Sequence, residues 1–319
     1  MNVALERYKA PAAYLVGLVF CFTPWGSPGA ALALGLVFAL TLGNPWRERG
    51  SHYVRWLLQA SVVLLGFGMD FLAVLRTGAH GLLFAAATIL GTLTLGWLLA
   101  RALYIGRKTS LLISAGTAIC GGSAIAAVGS AVDADKGEMS VAMGTVFLLN
   151  AVALYLFPVL GHLLHLSPEQ FGTWAGVAIH DVSSVVGAAS AYGGAALGIA
   201  TVVKLSRVLW IVPLTLAAAW WFHRGDDGET PDRRPAPPWF IGGFLLASLA
   251  AGYSPLLGQW APALTRVARL GFSFTLFCIG AGLSREALKA VGWRPLLQAF
   301  LLWLFIGSAS LAVVLADAA

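Results

Sequence analysis

The stretch TVVKLSRVLWIVP, residues 201–213, lies inside an apolar run from Leu197 to Phe222 that is long enough to span a bilayer, yet it carries Lys204 and Arg207. On a helix starting near Leu197 the two cations lie about 10 and 15 Å from its end, at about 1.5 Å per residue. A basic side chain near the centre of a membrane helix costs at least about 2.5–3.5 kcal/mol. The i, i+3 spacing puts both on one face with Gly198 and Thr201, so that face must meet protein or water.

The segment before it supplies a partner. In FGTWAGVAIHDVSSVVGAASAYG (171–193), Gly176, His180, Ser183, Ser184, Gly187 and Ser190 form a small, polar stripe, and Asp181 adjoins it. Read as antiparallel neighbours, the two segments place Asp181 and Arg207 at similar depth. An Asp181–Arg207 pair is expected, with Lys204 about a turn nearer the outside. Two cations against one carboxylate and one histidine leave positive charge in excess, which favours an anionic solute. His180 and Asp181 are the groups able to carry a proton.

Composition fixes the class. Hydrophobic residues make up 59% of the chain and charged ones 11%, against about 25% charged in a soluble domain. A net charge of +6 does not point to nucleic acid, because the basic residues are scattered singly between apolar runs. Cys21, Cys120 and Cys278 form no CxxC pair, so no disulfide framework, metal site or cofactor is expected. The N-terminal run lacks a small-residue cleavage site and reads as retained.

About twenty apolar residues are needed per crossing. About eleven segments are candidates, the first two of them short enough to be tilted, partial or broken: 11–24, 28–43, 55–76, 80–104, 109–131, 140–161, 170–192, 197–222, 239–253, 264–284 and 294–316. The reading is an all-α polytopic membrane protein, residues 1–319 forming one unit, with HRGDDGETPDRRPAPP (223–238) a cytoplasmic linker between halves. A cytoplasmic N-terminus puts fourteen of the twenty basic residues inside, as the positive-inside rule asks. It puts Lys136 outside and the HLLH pair, His162 and His165, at the cytoplasmic boundary.

SAGTAICGGSAIAAVGSAV (114–132) is made of small residues around Gly121 and Gly122, a place for a membrane helix to unwind. Half-helix N-termini offer free amides to an anion. Gly121, Gly122 and Ser123, with Thr117 and Cys120 beside them, are therefore candidate ligands. TLFCIGAGLS (275–284) repeats a Cys before paired glycines, so Gly280 and Gly282 are candidates too, and the two segments form an inverted pair of discontinuous crossing helices. A rival registration aligns GFGMDFLAVLRTG (66–78) with GAGLSREALKAVG (280–292) through Gly66/Gly280, Gly68/Gly282 and Gly78/Gly292.

Three of these motifs, AICGGSA (118–124), IHD with VVGAA (179–181 and 185–189), and VKLSRVL (203–209), resemble in order and spacing the YeiH-like family of bacterial membrane proteins, commonly labelled sulfate exporters. The resemblance runs from about residue 55 to 316. It implies an inner-membrane protein of the bile-acid symporter and cation/proton antiporter superfamily, with inverted repeats, broken crossing helices and often a core that moves against a scaffold. By that analogy the chain is a homodimer. Two positions depart from the family pattern: Asp181 stands where Glu follows the His, and Gly68 stands where a basic residue follows LLGF.

The expectation is a secondary transporter of a small anion, plausibly a sulfur oxyanion such as sulfite or sulfate, with the lipid bilayer as its other partner. Lys204 and Arg207 attract the anion. The residues around Gly121–Ser123 and Gly280–Gly282 bind it. His180, Asp181, Ser183 and Ser184 couple ions or protons. The alternatives are a cation/proton antiporter using Asp181 and Asp70, and a membrane enzyme using Ser183 or Ser184 with His180. No P-loop, HExxH or G-x-S-x-G supports an ATPase or hydrolase.

Overall fold

A computed structural model describes residues 2–23, 25–41, 47–222, 239–282 and 291–316. The 223–238 linker and residues 283–284 of the second glycine motif lie outside the described residues. The described chain is helical, with no strand. Phe84–Leu103, Lys136–Leu163, Gly194–Phe222, Leu256–Gly282 and Trp293–Ala316 are each long and apolar enough to cross a membrane, and shorter apolar helices accompany them. The surface is inverted relative to a soluble protein. Trp25, Trp56, Trp220, Trp221, Trp239, Trp260 and Trp293 are exposed, as suits side chains facing lipid and its headgroups, whereas Lys204 and Arg207 are 0% and 1% exposed.

Two segments read as crossings are not crossings. Helix α5 (Arg107–Ala118) is followed by α6 (Gly122–Ala131). In one straight helix Lys108 and Asp133 would stand about 37 Å apart. Instead Lys108 Nζ donates to the Asp133 carbonyl at 2.8 Å. A Cβ added at Gly116 of α5 would meet the Ile125 side chain of α6 at 2.9 Å. The pair is a hairpin that enters the membrane, turns at Ile119–Gly121 and returns. Helices α8 (Pro168–Ala178) and α9 (Val182–Tyr192) do the same. Phe171 and Tyr192, about 31 Å apart in a straight helix, stack with ring centroids 3.8 Å apart, and Tyr192 Oη donates to the Leu166 carbonyl.

Each turn has a local cause. Gly121 has φ 67° and ψ −127°, a conformation essentially reserved for glycine, and it reverses the first hairpin. In the second, Ile179 and Asp181 are extended, and Asp181 N-caps α9. The mouths of the hairpins are marked by capping boxes: Asp135 with Glu138 starts α7 (Lys136–Leu163), and Ser167 with Gln170 starts α8 behind Pro168.

Helix α7 lies between the hairpins. Its 28 residues extend about 42 Å, so the first hairpin enters at one end and the second at the other. The tips meet halfway along, where Gly121 approaches Val146 and Asp181, and Asn150 reaches His180. Helices α4 (Phe71–Leu103), α10 (Gly194–Val208), α11 (Ile211–Phe222) and α14 (Trp293–Ala316) pack around the hairpins. Helices α1 (Asn2–Phe20), α2 (Pro28–Thr41), α3 (Arg47–Gly66), α12 (Trp239–Tyr253) and α13 (Pro255–Gly282) pack mainly on one another.

The second expected break is absent. Helix α13 runs unbroken through Gly280 to Gly282. Gly280 serves close packing: a Cβ there would lie 2.6 Å from the Leu32 carbonyl of α2. The break that faces Gly121 is instead at 179–181, in the segment read as one continuous helix. The inverted pairing of 114–132 with 275–284 therefore loses the feature it was built on.

Folding two crossings into hairpins changes the side of only two loops, those at 132–136 and 164–167. Lys136 joins the end that holds Arg107 and Lys108, and His162 and His165 move to the opposite end. Single cysteines at the exposed positions Arg107, Lys136 and His165 test this directly, since native Cys21, Cys120 and Cys278 are buried. Arg107→Cys and Lys136→Cys are expected to label from the same side of sealed vesicles, and His165→Cys from the other. Labelling of 107 and 136 from opposite sides restores the eleven-crossing fold.

Candidate substrate site at the hairpin tips

Four helix ends converge at the tips. The C-terminal ends of α5 and α8 bring unpaired carbonyls, and the N-terminal ends of α6 and α9 bring unpaired amides. Each end carries a partial charge of about half an elementary unit.

The carbonyl end of α5 is met by the two buried cations. Arg207 donates through its terminal nitrogens to the Ala118 carbonyl and, at 2.7 Å, to Thr88 Oγ1 of α4. Lys204 Nζ donates to the Ile119 carbonyl at 3.3 Å. This explains how both charges persist at mid-membrane: they sit on the negative end of a half-helix whose last carbonyls have no helical partner. Helix α10 supplies them because i, i+3 spacing turns both toward the first tip.

The amide end of α9 is occupied from within. Asp181 Oδ2 accepts from the Ser183 amide at 3.1 Å, the Ser184 amide at 3.2 Å and the Ser183 hydroxyl, with the Ser184 hydroxyl at 3.5 Å. The expected Asp181–Arg207 pair is not formed, because Asp181 is used as a helix cap and Arg207 as a carbonyl clamp. Lys204 acts electrostatically on Asp181. Ser183 and Ser184 also have their role here as capping donors. Among the described residues neither hydroxyl bonds His180, whose ring nitrogens have no hydrogen-bond partner there.

The amide end of α6 is different. Its N-cap, Gly121, has no side chain to offer. Cys120 lies against the Ala124 amide and the Ser123 hydroxyl. Ser123 is exposed, and Gly122 and Asp181 are half-buried. Among the described residues, the buried polar atoms without partners include Thr117 Oγ1 in the last turn of α5, Asn150 Nδ2 of α7, Arg207 Nε and both ring nitrogens of His180. The inventory is rich in donors. With the imidazole neutral, Lys204, Arg207 and Asp181 leave one formal positive charge.

The tips thus bring together Thr117, Cys120, Gly121, Gly122, Ser123, His180, Asp181, Ser183, Ser184, Lys204 and Arg207 from the sequence reading. They leave out Gly280, packed on α2, and Gly282, which has no atom within 4 Å of an added Cβ. Asp70 is exposed in the turn between α3 and α4 and takes no part. Sequence reasoning missed Thr88, one hydroxyl in an apolar helix. From α7, Asn150 Oδ1 accepts the His180 amide at 3.2 Å and pins the second tip to that helix.

Comparisons with known proteins place the chain in a family. Residues 9–299 match the family described as Conserved hypothetical protein 698, and the chain belongs to it. It is 46% identical to a "UPF0324 membrane protein" of Bacteroides thetaiotaomicron, over 94% of this chain and 90% of that one. It is 50% identical to one of Porphyromonas gingivalis, over 92% and 88%, and 42% identical to one of Shewanella oneidensis, over 95% and 94%. The family recognised from the three tip motifs therefore stands, and the protein is a membrane protein. No solved structure matches it.

Two substitutions test the tip. Gly121→Ala forces a side chain into a backbone conformation with positive φ and is expected to cost about 1–3 kcal/mol, seen as a lowered thermal midpoint in detergent. Gly282→Ala, with open space around it, is the neutral control. Arg207→Met leaves the Ala118 carbonyl without its donor, an expected loss of about 1–3 kcal/mol in the same measurement.

Proposed function

We propose that the protein is a secondary transporter of a small anion, plausibly a sulfur oxyanion such as sulfite or sulfate, driven by an ion or proton gradient. One observation carries the reading. Two buried cations and an uncapped helix N-terminus gather at mid-depth, where two hairpins that enter from opposite ends touch tip to tip. A transport site must be reachable from both sides in turn, and opposed hairpins give each side its own approach to one point. Discontinuous helices with polar ends at the midplane serve this purpose in secondary transporters.

The anion is held in this reading by the amides of Gly122 and Ser123, the Ser123 hydroxyl and the spare donors of Lys204. Thr117 and Asn150 supply further donors. In this reading the protein sits in the bacterial inner membrane, as the resemblance implies, with its N-terminus cytoplasmic, as the distribution of basic residues asks.

A two-fold inverted organisation accompanies this proposal, in the rival registration. Gly66 of α3 and Gly280 of α13, which that registration aligns, are both pressed on a neighbour's carbonyl: Phe244 of α12 at 2.5 Å and Leu32 of α2 at 2.6 Å from an added Cβ. Likewise α4 packs on the first hairpin as α14 packs on the second, and α11 lies on α6 as α7 lies on α9. The second half is permuted in chain order, its hairpin preceding α12–α14.

Counterflow of labelled sulfite and sulfate in proteoliposomes tests the function. Native protein is expected to show saturable counterflow, and Lys204→Met to reduce it at least about tenfold, the equivalent of about 1.4 kcal/mol. Native protein that is folded and carries another solute but neither of these overturns the sulfur-oxyanion assignment.

A further inference from the structure

We propose that Asp181 is the proton site of the transport cycle, its Oδ1 taking up a proton when an oxyanion binds at the α6 N-terminus, so that proton and anion cross together. This rests on the anion reading of the tips and names how that site is coupled.

The two amide ends at the tips compete for negative charge. That of α9 holds a carboxylate tethered by the chain, and that of α6 holds none. A Cβ on Gly121 would lie 3.4 Å from Asp181 Cβ, so an anion on the α6 amides sits beside the Asp181 carboxyl group. Two anions so close in a site that excludes most water repel strongly. A proton on Asp181 removes the conflict.

The carboxylate is built to take it. Every hydrogen bond that Asp181 accepts goes to Oδ2. Among the described residues Oδ1 accepts none, and the residue keeps some accessible surface. Protonation at Oδ1 leaves the α9 cap intact and converts the free oxygen from a repelling acceptor into a donor that the oxyanion can accept. The step is a proton transfer from water on the loading side to Oδ1, reversed on the other side. For a monovalent anion the incoming charges cancel. The formal +1 of the empty tip is then retained in the loaded one; with sulfate, a dianion, and one proton the loaded tip is formally neutral.

The neighbours leave this role to Asp181. Lys204 from α10 and Cys120 from the first hairpin are the titratable side chains that act on it, and both are buried. His180, next in sequence, is buried in the field of Lys204 and Arg207, where a proton would add a third positive charge. From α7 come Val146 and Asn150, both uncharged. Helices α2 and α13 meet α9 at Gly187 through Pro28 and Leu276.

The test uses proteoliposomes, labelled sulfate and a clamped membrane potential. With native protein, an inward acid gradient is expected to drive sulfate above its external level, by up to about tenfold per pH unit for one proton per anion. A trapped pH dye is expected to record proton entry only when sulfate is added. Asp181→Asn keeps an N-cap and is expected to lose both gradient-driven accumulation and the dye signal. Asp181→Glu is expected to recover them. A folded Asn variant that still accumulates sulfate under the gradient, or still gives the dye signal, overturns the proposal. If the variant does not fold, native transport without sulfate-dependent proton entry overturns it by itself. Native protein that moves neither sulfate nor sulfite overturns the anion reading instead, and the proposal with it.

Discussion

Everything at the centre of this protein is arranged around one electrostatic debt. A helix that stops in mid-membrane leaves carbonyls and amides without partners, and lipid supplies none. Helix α5 stops at Ala118, and its carbonyls are answered by Arg207 and Lys204. Those two cations could not be buried alone, and the broken helix could not end there alone. Each makes the other tolerable. Because the side chains come from α10 and also hold Thr88 on α4, the clamp fixes the first hairpin against two neighbours at once.

The second hairpin settles the same problem with opposite charge. Asp181 caps α9, and Asn150 takes the amide of His180. Of the four converging helix ends, two therefore have charged partners supplied by the protein, one negative and one positive. The α6 amides, with Ser123 exposed beside them, remain available to a ligand. That asymmetry, rather than the count of basic residues, is what supports the proposed anion. It also separates two roles for the buried cations: Arg207 is engaged mainly in holding the tip, while Lys204 keeps spare donors near the open end.

Much of the site was legible as chemistry before its geometry was known. The depth of Lys204 and Arg207, the glycines at 121–122 and the His-Asp-x-Ser-Ser run were each anomalous in an apolar chain, and all lie at the tips. The partnerships were not legible. Asp181 and Arg207 have opposite charge and similar depth, which suggested a pair, but backbone groups exposed by two turns claimed both. Thr88 and Asn150 gave only a faint signal, since a single polar residue in a membrane helix has many ordinary uses.

The sequence by itself determined that this is a helical membrane protein, which segments enter the membrane, and which residues carry charge there, because the cost of a polar group in lipid is local and large. Only the tertiary structure decided that 109–131 and 170–192 turn back instead of crossing. A hairpin and a span have the same hydropathy and length, and converting two spans to hairpins moves only two short loops between sides, so the charge bias hardly registers the difference. Long-range contacts decide it: Phe171 stacked on Tyr192, and Lys108 bound to Asp133.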